Sequence, residues 1–221
     1  MNKVIIMTPH PDDETLGCGG TLLRHLQQND KVYWVIVTEM KDSFSQEKRS
    51  KRNTEIECVA DQYQFEKIFN LGFEAAALDR VPDSDLIMKI SKVFQEIQPN
   101  IVYVPYPNDI HSDHKAVFDA SVACTKWFRY PSIDKVLVYE TLSETDFTIN
   151  PDGNGFRPNI FVNIEPYIDQ KIDIMKIYES EISEFPFPRS EKAIRSLAYI
   201  RGAASGFEAA EAFMLLKERV L

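Results

Sequence analysis

Apolar residues fall along this chain in two rhythms, short unbroken runs and stretches at helical spacing, and the two alternate. Lys3 to Thr8 predicts a buried strand, and Leu16 to Gln28 predicts a helix with Leu22, Leu23 and Leu26 on one face. Asn29-Asp30 makes the turn into Val32 to Thr38, a second β-branched run. The chain therefore opens as strand, loop, helix, strand, the signature of a parallel crossover. Ser43 to Tyr63 predicts a long charged helix, and Lys67 to Asn70 a short strand ahead of a loop region with Gly72 and Pro82. Ser84 to Gln98 is again helical until Pro99-Asn100 stops it, and Ile101 to Val104 is a third core strand. Pro105-Tyr106-Pro107-Asn108-Asp109 cannot continue a central strand. Helix resumes over Asp113 to Trp127, and Lys135 to Tyr139 is a fourth apolar run. Beyond it lie a turn-rich insertion, Asn150 to Gly155, and a short strand, Asn159 to Asn163. Helical patterns follow over Pro166 to Ser180, Glu191 to Arg201 and Phe207 to Leu216, the first two separated by the Pro-rich Glu184 to Arg189.

This alternation argues for one α/β domain over residues 1–221, a mostly parallel open sheet with helices on both faces and a Rossmann-like arrangement. Such sheets bind ligands at the carboxyl ends of their strands, near a switch in strand order. The loops after Thr8 and after Val104 both leave strand C-termini, so they can converge on one crevice.

Composition narrows the classes. A hydrophobic fraction of 44% and a charged fraction of 27% suit a soluble globular domain. No apolar run approaches the roughly 20 residues of a membrane span, and His10-Pro11-Asp12-Asp13 interrupts any signal-peptide pattern, so a cytoplasmic location is the default expectation. A net charge of -9 disfavours nucleic acid as a partner. Cys18, Cys58 and Cys124 are too few and too scattered for a disulfide framework or a structural zinc cluster, and are expected reduced and packed. The basic knot Lys48 to Arg52 reads by itself as a solvated helix face.

Three of the four histidines lie in the two strand-end loops. His10, Asp12, Asp13 and Glu14 crowd five positions after the apolar run Val4 to Met7, and three carboxylates so close call for a compensating cation. His10 and Asp13 are three apart, and His111 and His114 repeat that spacing. Metal ligation by His10, Asp13 and His114 gives a two-His, one-carboxylate site with an open position, the pattern of a catalytic zinc. Asp12 is then free to serve as general base. His111, best as imidazolium, is placed to stabilise an oxyanion, with Asp113 to orient it and keep it charged. Taken singly, any of these residues is as readily a helix cap or a turn residue; the two motifs together are not.

His10-Pro11-Asp12-Asp13-Glu14 followed by Gly17 and Gly19-Gly20, with His111-Ser112-Asp113-His114 after a Pro-Asn-Asp loop, resembles the PIG-L (LmbE-like) family of zinc-dependent N-acetylglucosaminyl deacetylases. Arg52-Asn53-Thr54-Glu55 resembles that family's Arg-x-x-Glu, and Arg201-Gly202 through Gly206 to Ala210-Glu211-Ala212-Phe213 its C-terminal signature. The resemblance implies metal on His10, Asp13 and His114, Asp12 as base, His111 at the transition state, and Arg52 reaching the substrate sugar. Ser112 departs from it, since many members carry proline there. Gly17, Gly19 and Gly20 do not make a dinucleotide fingerprint, because Leu22 stands where its third glycine belongs; they read as clearance positions. His25 reads as a surface residue, Glu14 as support for a ligand or a loop amide, and Glu211 as either a helix-surface charge or a partner for an Arg such as Arg201.

The expected activity is hydrolysis of the acetamido group of a small-molecule amino sugar or sugar conjugate, releasing acetate and a free amine, with Zn2+ as cofactor and Fe2+ a second fit. The same ligand set also suits a non-haem Fe(II) oxygenase, and a non-catalytic metal-dependent sugar-binding protein on this fold is a third reading. Substrate choice is expected from loops around Ser43, Phe73 to Pro82, Asn150 to Phe156 and Phe185 to Arg189. The sequence leaves room for a homo-oligomer.

Overall fold

A computed structural model describes residues 1–149 and 155–220. The turn-rich insertion expected over Asn150 to Gly155 lies almost wholly outside the described residues. The chain runs β1 (Lys3–Thr8), α1 (Asp13–Gln27), β2 (Lys31–Glu39), α2 (Gln46–Tyr63), β3 (Lys67–Glu74), α3 (Asp83–Ile97), β4 (Ile101–Pro105), α4 (Ser112–Ala123), β5 (Lys135–Tyr139), β6 (Ile160–Asn163), α5 (Ile168–Met175), α6 (Glu191–Ala203) and β7 (Ala210–Glu218). These strands form one sheet in the order β3-β2-β1-β4-β5-β7-β6. All pairings from β3 to β5 are parallel, and β7 runs antiparallel to both β5 and β6.

Period-two alternation divides each central strand between two cores. Val4, Ile6, Trp34 and Ile36 pack on one face with Leu22 of α1, Ile172 of α5 and Ile194 of α6. Ile5, Met7, Val35 and Val37 pack on the other with Ile90 and Phe94 of α3 and Val117 of α4. Burial on both faces is why these strands read as unbroken apolar runs.

The strand order places β1 and β4 side by side, with β2 and β3 built outward from β1 and β5 from β4. The switch point of the sheet is therefore the cleft between the ends of β1 and β4. α1 and α4 start there, carrying the two histidine motifs to a common mouth. Gly17 and Gly20 let α1 lie close: a Cβ on Gly17 would sit 2.3 Å from the Tyr139 ring, and one on Gly20 2.6 Å from Ile164.

Several expectations fail here. Phe207 to Leu216 is not helical; Ala210–Glu218 is a strand inserted beside β5. The helix expected from Pro166 to Ser180 shrinks to Ile168–Met175. His25 is buried, bonded to Asp30 Oδ2 at 2.9 Å and Tyr103 Oη at 3.0 Å. Glu211 lies on a strand, where it pairs with Lys171 at 2.7 Å and accepts from the α1 amides of Gly20 and Thr21, while Arg201 pairs with Glu140. Cys18 and Cys124 are packed, but Cys58 is exposed. No described helix is long and apolar enough to cross a membrane.

Candidate active site

β1 ends at Thr8, and the next turn is fixed from several sides. The Pro9 carbonyl accepts from Thr38 N at 3.1 Å and Thr38 Oγ1 at 2.7 Å, and the Pro11 carbonyl from Arg52 at 3.2 Å. Glu14, fully buried, accepts from the Asp12 amide at 3.0 Å, Thr15 Oγ1 at 2.7 Å and Tyr178 Oη at 2.8 Å, so it supports a loop amide. Asp12 caps α1 with its carbonyl, which accepts from Thr15 N and Leu16 N, but its side chain makes no cap. Its backbone sits at φ 122°, where a residue with a Cβ is strained. That conformation frees the carboxylate to face the cavity while Asp13, the next residue, begins the helix.

Asp13 and the histidines meet at the switch point. The Asp13 carboxylate lies 3.5 Å from His10 Nδ1 and 3.5 Å from His114 Nε2, and one ligand atom from each of the three falls within 4.8 Å of the others. His114 is fully buried; its Nδ1 is 2.7 Å from Asp109 Oδ2, and its Nε2 has no hydrogen-bond partner. A carboxylate on one ring nitrogen and an orphaned, buried second nitrogen is the arrangement of a histidine set up as a metal ligand. His10, His111 and Asp113 also cluster, but Asp113 is already engaged. It accepts from Ala76 N at 2.7 Å and Leu78 N at 3.2 Å, and pairs with His10 Nε2 at 3.2 Å. Burial opposes charge on His10, yet its bonds to Asp113 and Asp13 and the charges of Asp13 and Asp12 outweigh it and hold His10 up at about 10. A site whose carboxylates stabilise a buried imidazolium so strongly is one whose donors fit a divalent cation.

His111 and Asp113 do not form the expected pair. The Asp113 carboxylate supports His10 and the loop after β3, whereas its backbone N–H donates to His111 Nδ1 at 3.2 Å, making His111 the N-cap of α4. Burial and the neighbouring His10 push His111 down to about 4, against the opposing charge of Asp113. His111 is therefore a neutral imidazole and not the imidazolium the spacing suggested. With Nδ1 accepting, the ring proton belongs on Nε2, on the cavity wall.

Arg52 reaches the wall of the cavity but is heavily committed. It pairs with Glu181 and with Glu55 at 3.2 Å, donates to Ser180 Oγ at 3.0 Å, and lies over the Tyr178 ring. It lines the cavity where the sugar is expected and also holds the Pro11 turn. Arg189 was visible in the sequence only as part of a variable loop. It donates to Asp12 Oδ2 at 2.7 Å, Glu181 at 3.0 Å, Glu144 at 3.2 Å and Ser143 Oγ at 2.7 Å. Burial drives the Asp12 carboxyl well above the usual carboxylate range, and Arg189 draws it part of the way back. Asp109, Glu144 and Glu181 were also missed. All belong to a cavity of about 400 Å3 or to the groups bracing it, a volume within the usual range for small-molecule sites.

Fold and site together define an α/β protein with a candidate divalent-metal site and a flanking carboxylate and imidazole at the switch point of a parallel sheet. Residues 5–125 match the PIG-L family model, described as GlcNAc-PI de-N-acetylase, and the chain belongs to that family. It is 23% identical over 220 residues to a diacetylchitobiose deacetylase of Thermococcus kodakarensis, covering 96% of this chain and 82% of that one. In fold it is similar to a conserved protein of Thermus thermophilus (TM-score 0.80, 24% identity, covering 100% of this chain and 97% of that one). It is also similar to an N,N'-diacetylchitobiose deacetylase of Pyrococcus horikoshii solved with an inhibitor (TM-score 0.79, 21% identity, covering 98% and 84%).

Proposed function

We propose that this protein hydrolyses the acetamido group of an N-acetylated amino sugar, with a zinc ion held by His10, Asp13 and His114. The observation that carries this reading is the orphaned, fully buried Nε2 of His114, facing Asp13 beside His10. Family membership and the deacetylase named among the relatives support the choice of reaction. A divalent ion at these donors would polarise the scissile carbonyl and acidify a water.

The chain's own groups supply the rest. Asp12, on the cavity wall and raised by burial, accepts the proton of the attacking water and later delivers it to the departing amine. Arg189 fixes the rotamer of that carboxylate. The Nε2–H of neutral His111 donates to the carbonyl oxygen as negative charge grows on it. Asp109 and Asp113 hold the rings of His114 and His10. An iron oxygenase shares the three ligands but has no use for a base such as Asp12, so hydrolysis is favoured.

Acetate release from N-acetylglucosamine derivatives, assayed on protein stripped with a chelator and on protein reloaded with zinc or ferrous iron, tests the reading. Activity should vanish on stripping and return with metal. Equal acetate release before and after stripping removes the metal from the reaction, and no acetate under any loading removes the deacetylase reading.

A further inference from the structure

The charge of the cavity wall narrows the substrate. Five acidic residues, Asp12, Glu39, Asp42, Glu144 and Glu181, line the cavity with only three arginines, Arg49, Arg52 and Arg189, and of the five Asp42 lies at the solvent-exposed rim. Two arginines are matched within the wall, Arg52 with Glu55 and Glu181 and Arg189 with Asp12, Glu144 and Glu181, while Arg49 pairs at 2.6 Å with the exposed Asp42 at the cavity rim and its Nε has no hydrogen-bond partner. Among the described residues the Glu39 carboxylate has no ion pair or hydrogen bond, though it lines the same space. Residues 150–154, Asn-Pro-Asp-Gly-Asn, contain no Lys or Arg and cannot add a cation. At the metal end, the two charges of a divalent ion would be met by Asp13 and Asp113. The wall therefore carries more carboxylates than guanidiniums, a balance unfavourable to an anionic group. Seating a phosphate or carboxylate on Arg52 or Arg189 would mean pulling that arginine from its partners and stranding a carboxylate, and at the Arg49 rim the anion would share the space with Glu39 and Asp42. Apart from His10 at the metal end, the remaining wall is uncharged, with Met40, Phe44 and Ile56 beside the Asn53 amide. Apolar surface with a few neutral hydrogen-bonding groups suits a pyranose ring and an uncharged aglycone.

We propose that the substrate is an electrically neutral N-acetylhexosaminide, carrying no phosphate or carboxylate near the acetamido sugar; this rests on the deacetylase reading above. The test uses the metal-loaded full chain and acetate release as readout. Neutral probes are N-acetylglucosamine, its methyl glycoside and N,N'-diacetylchitobiose; anionic probes are N-acetylglucosamine 6-phosphate and N-acetylmuramic acid. The best neutral probe should exceed both anionic ones in kcat/KM by at least about tenfold, the scale on which like-charge contacts discriminate. Glu39→Lys should shrink that ratio several-fold by improving the anionic probes. An anionic probe turned over as well as or better than every neutral one overturns this inference and leaves the deacetylase reading standing. No acetate from any probe removes both.

Discussion

Asp109 offers the most direct test of how the metal site is built. Its Oδ2 lies 2.7 Å from His114 Nδ1 and its Oδ1 2.6 Å from Thr145 Oγ1, in a position 8% exposed. Asp109→Ala leaves all three proposed ligands in place but frees the His114 ring to rotate and removes the charge that makes Nε2 a strong donor. Loss of such a carboxylate typically weakens metal binding about 10- to 100-fold, equivalent to roughly 1.4–2.7 kcal/mol. A second cost falls on the fold: the buried His114 N–H loses its acceptor, at about 1–3 kcal/mol. For a chain of this size that is a fall in Tm of roughly 2–12 °C. Metal affinity is read by competition with a chromophoric chelator, and stability by thermal unfolding of stripped protein. Thr145→Val is the control, since it takes a hydrogen bond from Asp109 without touching His114, and its metal affinity should stay within a few-fold of wild type. If Asp109→Ala binds metal within twofold of wild type while its Tm falls, Asp109 braces the loop and does not tune the ligand.

Asp12→Ala should keep metal binding and lower kcat by about 10²- to 10⁴-fold, whereas His111→Ala should lower it by roughly 10²- to 10³-fold; turnover near wild type in either variant removes that residue from the reaction. Gly17→Ala should destabilise the fold by about 1–3 kcal/mol, because its Cβ would press on the Tyr139 ring at 2.3 Å, and a denaturant midpoint equal to wild type would contradict the close packing of α1 on β5. His25 titrates below its ordinary value, held neutral chiefly by burial despite Asp30. The folded state then binds fewer protons there than the unfolded chain, so this contribution is complete above the unfolded value near 6.5 and is lost as pH falls through the folded value. Denaturant unfolding at pH 7.5 and 5.5 should show a smaller acid loss for His25→Gln than for wild type; identical losses would assign the acid sensitivity elsewhere.

The parallel half of the fold is legible because its strands are buried on both faces, and Val4 to Met7, Val32 to Val37 and Val136 to Tyr139 carry that in their composition. β7 is illegible for the opposite reason. Ala210, Glu211, Ala212, Met214, Leu215, Leu216, Lys217 and Glu218 are mostly strong helix formers, and pairing with β5 on one side and β6 on the other makes them a strand. In the site, the sequence shows which residues share a loop but not which way they turn. Asp113 and His111 are two apart, yet the carboxylate faces His10 and the backbone amide meets His111. Arg189 lies 177 residues from Asp12, and nothing local to the Pro-rich Glu184 to Arg189 stretch announces the contact. Arg52 is legible only through its motif: the charge pattern of Lys48 to Arg52 reads as a solvated face, yet one guanidinium of that run lies in a buried ion-pair network.

The positive φ of Asp12 sets stability against activity at a single residue. A backbone held there costs on the order of 1–3 kcal/mol for a residue with a Cβ, and glycine would relieve it. Glycine would also delete the carboxylate, so the substitution that most readily steadies this turn is the one that silences the proposed chemistry. A descendant of this chain released from catalysis would drift toward glycine at position 12 and gain thermal tolerance.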